Sequence, residues 1–284
     1  MKKIKNIPLF LCLISFFYIV FKIINEKCIV YFESSKVYYI VDTITYLLSF
    51  FPVIFYFKKT TKENQYFFER KNLRFNNFIF YLGIMIFINF IMVNARIDYN
   101  NESKIIYNYE STTYYIITNI ILSSLIAPIL EEIIFRGILM NNLMKYGYKV
   151  AIITNSVLFG FYHINVNAMG RTILAGIILS YITYRYSLKY SIKLHIILNI
   201  IANLGKYLYY NDYIMIAMGI FTVVLIIIFI IGLIRKKYKE IFSIFKLNNE
   251  DRKNIIKFVK DNALYLLVIL VIVISNLLFN YKLF

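Results

Sequence analysis

The chain has few of the groups on which soluble chemistry usually rests. It holds two cysteines, Cys12 and Cys28, at no metal-like spacing, so thiol ligation carries no signal. Tryptophan is absent, and histidine occurs twice. Acidic residues are scarce, 15 against 32 Lys and Arg, for a formal charge of +17. There is no internal repeat and no low-complexity tail. HExxH, the helical signature of zinc peptidases, is missing. What the chain does have is apolar length. Of its 284 residues 60% are hydrophobic, which excludes a soluble domain of this size. The basic residues flank apolar runs, so the charge reads as membrane topology and contact with anionic headgroups, with no nucleic acid as partner.

Apolar runs of about 20 residues, enough to cross a bilayer, fall near 7–24, 37–57, 77–95, 113–144, 149–166, 171–187, 192–210, 213–234 and 263–281. The expected fold is all-α: a polytopic transmembrane helical bundle of eight or nine spans. The first run follows a basic start like that of a signal peptide, but no small-x-small cleavage site follows it, so it reads as a retained span. Pro52 and Pro128 are candidate kinks. Lys and Arg concentrate in 58–76 and 235–262. The positive-inside rule then puts these segments, the N-terminus and the 145–149 turn in the cytoplasm, and the host membrane reads as a bacterial plasma membrane. The expected organisation is an N-terminal region of three spans (1–112), a core of four spans (113–210) and a C-terminal region (211–284) whose basic segment 235–262 is a surface helix or loop. Asp42 reads as a contact to headgroups or water, and Arg171 and Arg185 as the limits of the sixth span. The 27 Tyr and 26 Phe are interface belt and packing.

One apolar run holds charges that a bilayer tolerates only with partners. In APILEEIIFRGIL (127–139), Arg136 follows Glu132 by four residues, so the two share a helical face and can pair. Glu131 points about 100° away. It needs a polar cavity, a partner on another helix, or a proton. The two histidines also lie in apolar helices: His163 closes FGFYH, and His195 opens HIILN with Asn199 one turn later. Each could be a packed hydrogen-bonding residue or part of a site. Glu131 lies 14 residues before Lys145 and His163 lies 14 after Lys149. With a turn at 145–149, both sit about 21 Å from it and can face each other. His195 should lie nearer the cytoplasmic end of its own helix, and straight helices would leave it well below the other two.

Taken in order, Glu131-Glu132-Ile133-Ile134-Phe135-Arg136-Gly137, Phe159 to His163, and His195 to Asn199 resemble the motifs of the CPBP family, the CAAX prenyl endoproteases and Abi-type bacteriocin-processing or immunity proteins. The resemblance covers roughly 113–205. It implies an intramembrane endopeptidase, with Glu131 as the base that activates water and His163 helping to bind that water. His195 and Asn199 would stabilise the oxyanion, and Glu132 with Arg136 would hold the site together. The chemistry agrees in outline: hydrolysis needs a base tuned towards neutral pKa and donors aimed at the developing oxyanion. Glu131, His163 and His195 also make a two-His, one-carboxylate set suited to Zn2+ or another divalent metal. A metal-free glutamate–water mechanism uses the same residues.

The expected partners are membrane lipids and a peptide, lipidated or membrane-anchored protein substrate. CAAX-type maturation needs prenylation machinery. Processing of a bacteriocin-like peptide, or self-immunity against one, is the more natural bacterial role. Two other classes compete: a non-catalytic immunity or scaffolding protein of the same fold, and a proton-coupled transporter using the buried acids as a relay. Inverted repeats, frequent in carriers, are absent from the sequence.

Overall fold

A computed structural model describes residues 71–94, 120–163, 166–207, 212–235 and 238–282, with single positions at 44, 47, 48 and 117. All regular structure among them is helical. In chain order the helices are α1, Phe75–Asn94; α2, the continuous run 122–146; α3, Tyr148–Tyr162; α4, Val166–Arg185; α5, Leu188–Tyr207; α6, Asp212–Ile234; α7, Tyr238–Phe242; and α8, Asn249–Lys282. The expected spans at 7–24 and 37–57, Asp42, both cysteines and the opening residues of the fourth run lie outside the described residues.

One described helix, α6, is long and apolar enough to cross a membrane. The other expected spans depart from that simple type for local reasons. The helix α3 has only 15 residues. Polar and basic side chains are distributed along α4 and α5. The last span is the distal part of a helix that starts inside the basic segment and bends at Asn262, where φ is −131°. Arg171 lies within α4 and does not mark its start, while Arg185 is its last residue.

Within α2 the helical ladder widens twice. Residues Leu122–Ile126 and Ile133–Leu139 are π-helical, on either side of the α-helical piece Ala127–Glu132. Pro128 accounts for the first. It has no N–H to give the carbonyl four residues back, and its ring crowds that carbonyl. The Ala127 N–H bonds instead to the Leu122 carbonyl, five residues back. The residue expected to kink the helix therefore loosens one turn of it. The chain reverses at Gly147, whose φ of +90° an L side chain rarely adopts, so the turn falls within the expected 145–149.

Small residues set the helix spacing, as is common where lipid supplies no drive for association. A Cβ on Gly83 of α1 would stand 2.7 Å from the Leu225 carbonyl oxygen of α6, and one on Gly232 would enter the Phe80 ring. These close approaches pack α1 on α6, one from each of the regions expected to flank the core. A Cβ on Gly176 of α4 would come within 3.2 Å of the Ser156 backbone on α3. Beside it, the buried Asn155 amide donates to Ser180 Oγ at 3.0 Å, so a polar pair is matched inside the α3–α4 contact.

Candidate active site

Glu132 is the centre of the buried polar network. Arg136 Nη1 lies 2.8 Å from its Oε1, and both side chains are wholly inaccessible. This is the pair expected from the four-residue spacing. The same Oε1 also takes His195 Nδ1, from α5, at 2.9 Å. The rest of the guanidinium is met differently. Its carbon lies 4.0 Å from the centre of the Phe159 ring, while Nε and Nη2 have no hydrogen-bond partner among the described residues. The aromatic face takes up part of the charge that donors on those atoms would otherwise disperse. Gly176 leaves space here, because a Cβ on it would lie 3.4 Å from Nη2.

The contact fixes the His195 tautomer. A carboxylate already paired with Arg136 can only accept, so His195 Nδ1 carries the proton and donates it. Its Nε2 then faces Glu131, 3.8 Å from Oε2. That separation is too long for a direct hydrogen bond. Glu131 and His195 are both almost buried, at 8% and 6% exposure. A neutral His195 in this tautomer has no N–H left for an oxyanion. The donor role expected of it needs a second ring proton, on Nε2.

His163 is held by its own helix, Nδ1 donating to the Phe159 carbonyl at 2.9 Å. Its link to the rest is aromatic. Phe159 packs edge-on against His163, with centroids 4.7 Å apart, and against His195 at 6.0 Å. The structure thus joins Glu131, Glu132, Arg136 and His195 by polar contacts, and His163 through a ring. Among the described residues no three His, Cys, Asp or Glu side chains come together as metal ligands. A catalytic zinc centre takes three protein ligands. The expected set of Glu131, His163 and His195 does not fit one in this geometry.

Asn199 donates one amide proton to the Ser123 carbonyl at 2.9 Å. In an α-helix that carbonyl would serve the Ala127 N–H. The π turn before Pro128 diverts Ala127 to Leu122, and Asn199 of α5 donates to the Ser123 carbonyl. One turn beyond Asn199, Asn203 donates to Ser123 Oγ at 2.9 Å and Ser124 Oγ at 2.8 Å. Ser123, Ser124 and Asn203 were not among the expected site residues. The available signals were Pro128, which breaks the ladder, and the extension of HxxxN by a second Asn four residues on.

Convergence at His195 corrects the depth arithmetic. Tyr148 and Tyr184 stack with centroids 4.7 Å apart, so the start of α3 and the end of α4 are level. From the nearby start of α5, His195 is seven residues along, about 10 Å of rise, whereas Glu132 lies 14 residues from Tyr146. Upright helices would miss. The pair nonetheless meets, with His195 Nδ1 2.9 Å from Glu132 Oε1, and the π turns of 133–139 shorten the path from Glu132 to the turn.

Residues 113–201 match the family model for type II CAAX prenyl endopeptidase, Rce1-like. That segment is similar to the family over the matched residues. The Rce1-like match spans α2 to the middle of α5 and contains all six expected site residues, with α1, α6, α7 and α8 outside it. No curated protein and no solved structure matches the chain. The family description names a prenyl endopeptidase of the CAAX type, and the matched segment holds the glutamates, His195 and Asn199 on α2 and α5.

Proposed function

We propose that the protein is an intramembrane endopeptidase that cleaves a membrane-associated peptide or lipidated protein, the helices forming a polytopic bundle around the site. The observation that carries this reading is the buried chain Arg136–Glu132–His195–Glu131, with steps of 2.8, 2.9 and 3.8 Å, inside the Rce1-like segment.

In this mechanism the substrate carbonyl lies beside the gap between Glu131 and His195 Nε2. Glu131 takes a proton from water as the oxygen attacks the carbonyl carbon, and then delivers that proton to the departing amide nitrogen. The imidazolium form of His195 donates from Nε2 to the oxyanion, with Glu132 balancing its charge as an orienting carboxylate does. The second amide proton of Asn199 supplies a further donor. His163 shapes the pocket through Phe159. Glu132 and Arg136 position these groups and do not touch the reacting atoms.

Three settings suit this chemistry: processing of a bacteriocin-like peptide, self-immunity against one, and CAAX-type maturation. Comparative peptidomics of host cells carrying wild type or Glu131→Gln at matched expression tests the reading. Peptide termini present only with wild type are expected, and they identify the setting. Identical peptidomes, with Glu131→Gln still complementing a deletion phenotype, would overturn the peptidase reading.

A further inference from the structure

Segment 235–262 contains nine Lys and Arg against four Asp and Glu. The fold sorts them. Glu240 accepts the Tyr181 hydroxyl of α4 at 2.7 Å, Asp251 accepts Lys149 of α3 at 2.8 Å, and Asp261 accepts the Tyr146 hydroxyl of α2 at 2.9 Å. Three of the four acids thus accept hydrogen bonds from residues of α2, α3 and α4. The fourth, Glu250, sits in the first turn of α8, where the helix dipole favours it.

The first part of α8 carries the same division. Asp251, Phe258 and Asn262 form its inner stripe, the Asn262 amide lying 3.5 Å from the Tyr146 hydroxyl. Lys253, Ile256, Lys257, Val259 and Lys260 are exposed on the other side. Ahead of them Phe242 is 59% and Phe245 49% exposed. Exposed cations beside exposed apolar groups make the pattern of an interfacial helix: it places ammonium groups at phosphates and short apolar groups below them. The neighbouring helices fix its height. The segment begins where α6, long and apolar enough to span a bilayer, ends, and it gives way after Asn262 to a stretch exposing Leu264, Leu267, Leu270 and Val271.

We infer that the outer face of 238–260 is a docking surface for an anionic lipid surface, with Lys253, Lys257 and Lys260 at the phosphates and Phe242 and Phe245 in the acyl boundary. This inference rests on membrane embedding and not on peptide hydrolysis, so Glu131→Gln protein should behave as wild type in the test.

The chain has no tryptophan, so Phe242→Trp or Phe245→Trp creates a single reporter in the full-length protein. In proteoliposomes of phosphatidylcholine with phosphatidylglycerol, brominated phosphatidylglycerol should quench that emission at least twofold more than brominated phosphatidylcholine at equal mole fraction. The excess should shrink as salt rises. The Lys253→Glu, Lys257→Glu double variant should abolish it. Equal quenching by both lipids, or none by either, would overturn the proposal; the latter would assign the face to water or to an acidic protein. Lipids co-purifying with the unmodified protein give an independent reading: enrichment in anionic species over the bulk membrane is expected, and bulk composition would overturn it.

Discussion

Two ionic contacts, one near the middle of α2 and one at the turn that follows it, have the same length and different consequences. Arg136–Glu132 and Lys149–Asp251 both measure 2.8 Å. The first is sealed from solvent, shares an oxygen with His195 and stacks on Phe159. The second lies at the rim beside Gly147, and Asp251 already has a local role there. It accepts the Asn248 N–H while Asn248 Oδ1 takes the Asp251 N–H, a reciprocal cap on α8. Length therefore says little about worth. What decides is whether water can replace a lost partner. At the rim it can, and in the interior it cannot.

The sharpest way to break this comparison is Arg136→Ala. It strands the Glu132 carboxylate, and removing one partner of a buried pair costs about 3–5 kcal/mol. The expected result is loss of most folded protein in detergent, read by size-exclusion chromatography and thermal unfolding. The Arg136→Met, Glu132→Leu double variant should recover much of the folded yield but no activity. A yield equal to wild type from Arg136→Ala would remove the distinction between the two pairs.

Gly176→Ala comes next. Its methyl group would press on the Ser156 backbone and approach Arg136 Nη2. Overpacking of this kind costs about 1–3 kcal/mol. The apparent unfolding midpoint should fall, and activity should fall with it if the guanidinium is displaced. Asn203→Ala is expected to cost less, about 1–2 kcal/mol for lost hydrogen bonds to partly buried hydroxyls. Because Asn203 shares Ser123 with Asn199, the readout that separates positioning from stability is a fall in kcat at a temperature where the variant is fully folded.

The smallest effect is expected at the rim. Asp251→Asn should barely move the unfolding midpoint at neutral pH, and that small shift should vanish in high salt. The hydrogen bonds from Lys149 and the Asn248 N–H hold the Asp251 carboxyl below its ordinary range. Its contribution is complete above the unfolded value, about 3.9, and is lost as pH falls through the lower folded one. The bond to Asp251 raises the Lys149 ammonium above its ordinary value. That contribution is complete below about 10.4 and is lost as pH rises through the folded value. Midpoints measured from pH 6 to 9 should therefore run parallel in wild type and Asp251→Asn, and a divergence within that window would give the rim pair more weight than its position warrants.

Which parts of this were legible in the sequence follows from how local each cause is. The Glu132–Arg136 pair was readable because four-residue spacing within one helix fixes it. The 145–149 turn was readable from its charges. His195 was identifiable as a candidate by resemblance, but its meeting with Glu132 was not derivable, since it depends on how two separate helices pack and no local spacing encodes that. The tautomer of His195 followed only once the neighbour of Nδ1 was known. The π turns were hidden because apolar periodicity does not register one extra residue per turn, although Pro128 marked the place of the first. In 235–262 the excess of positive charge was visible in the composition. The pairing of three of its acids with Tyr146, Lys149 and Tyr181 was not, because each partner is more than fifty residues away in sequence.

The widened turns on either side of Ala127–Glu132 have a consequence for how such chains are compared. They make those six residues a separately phased piece of helix. The azimuth of the two carboxylates is not inherited from either end of the run, and counting residues from a helix terminus does not tell which way they face. A one-residue gap within 122–126 or 133–139 is the place where an alignment should be free to slip. A natural deletion there would leave a continuous helix and turn one end against the other by about 100°, the angle of a single residue. Length variation at these two points is thus rotation in disguise, and it offers a means of re-aiming the glutamates without changing either one.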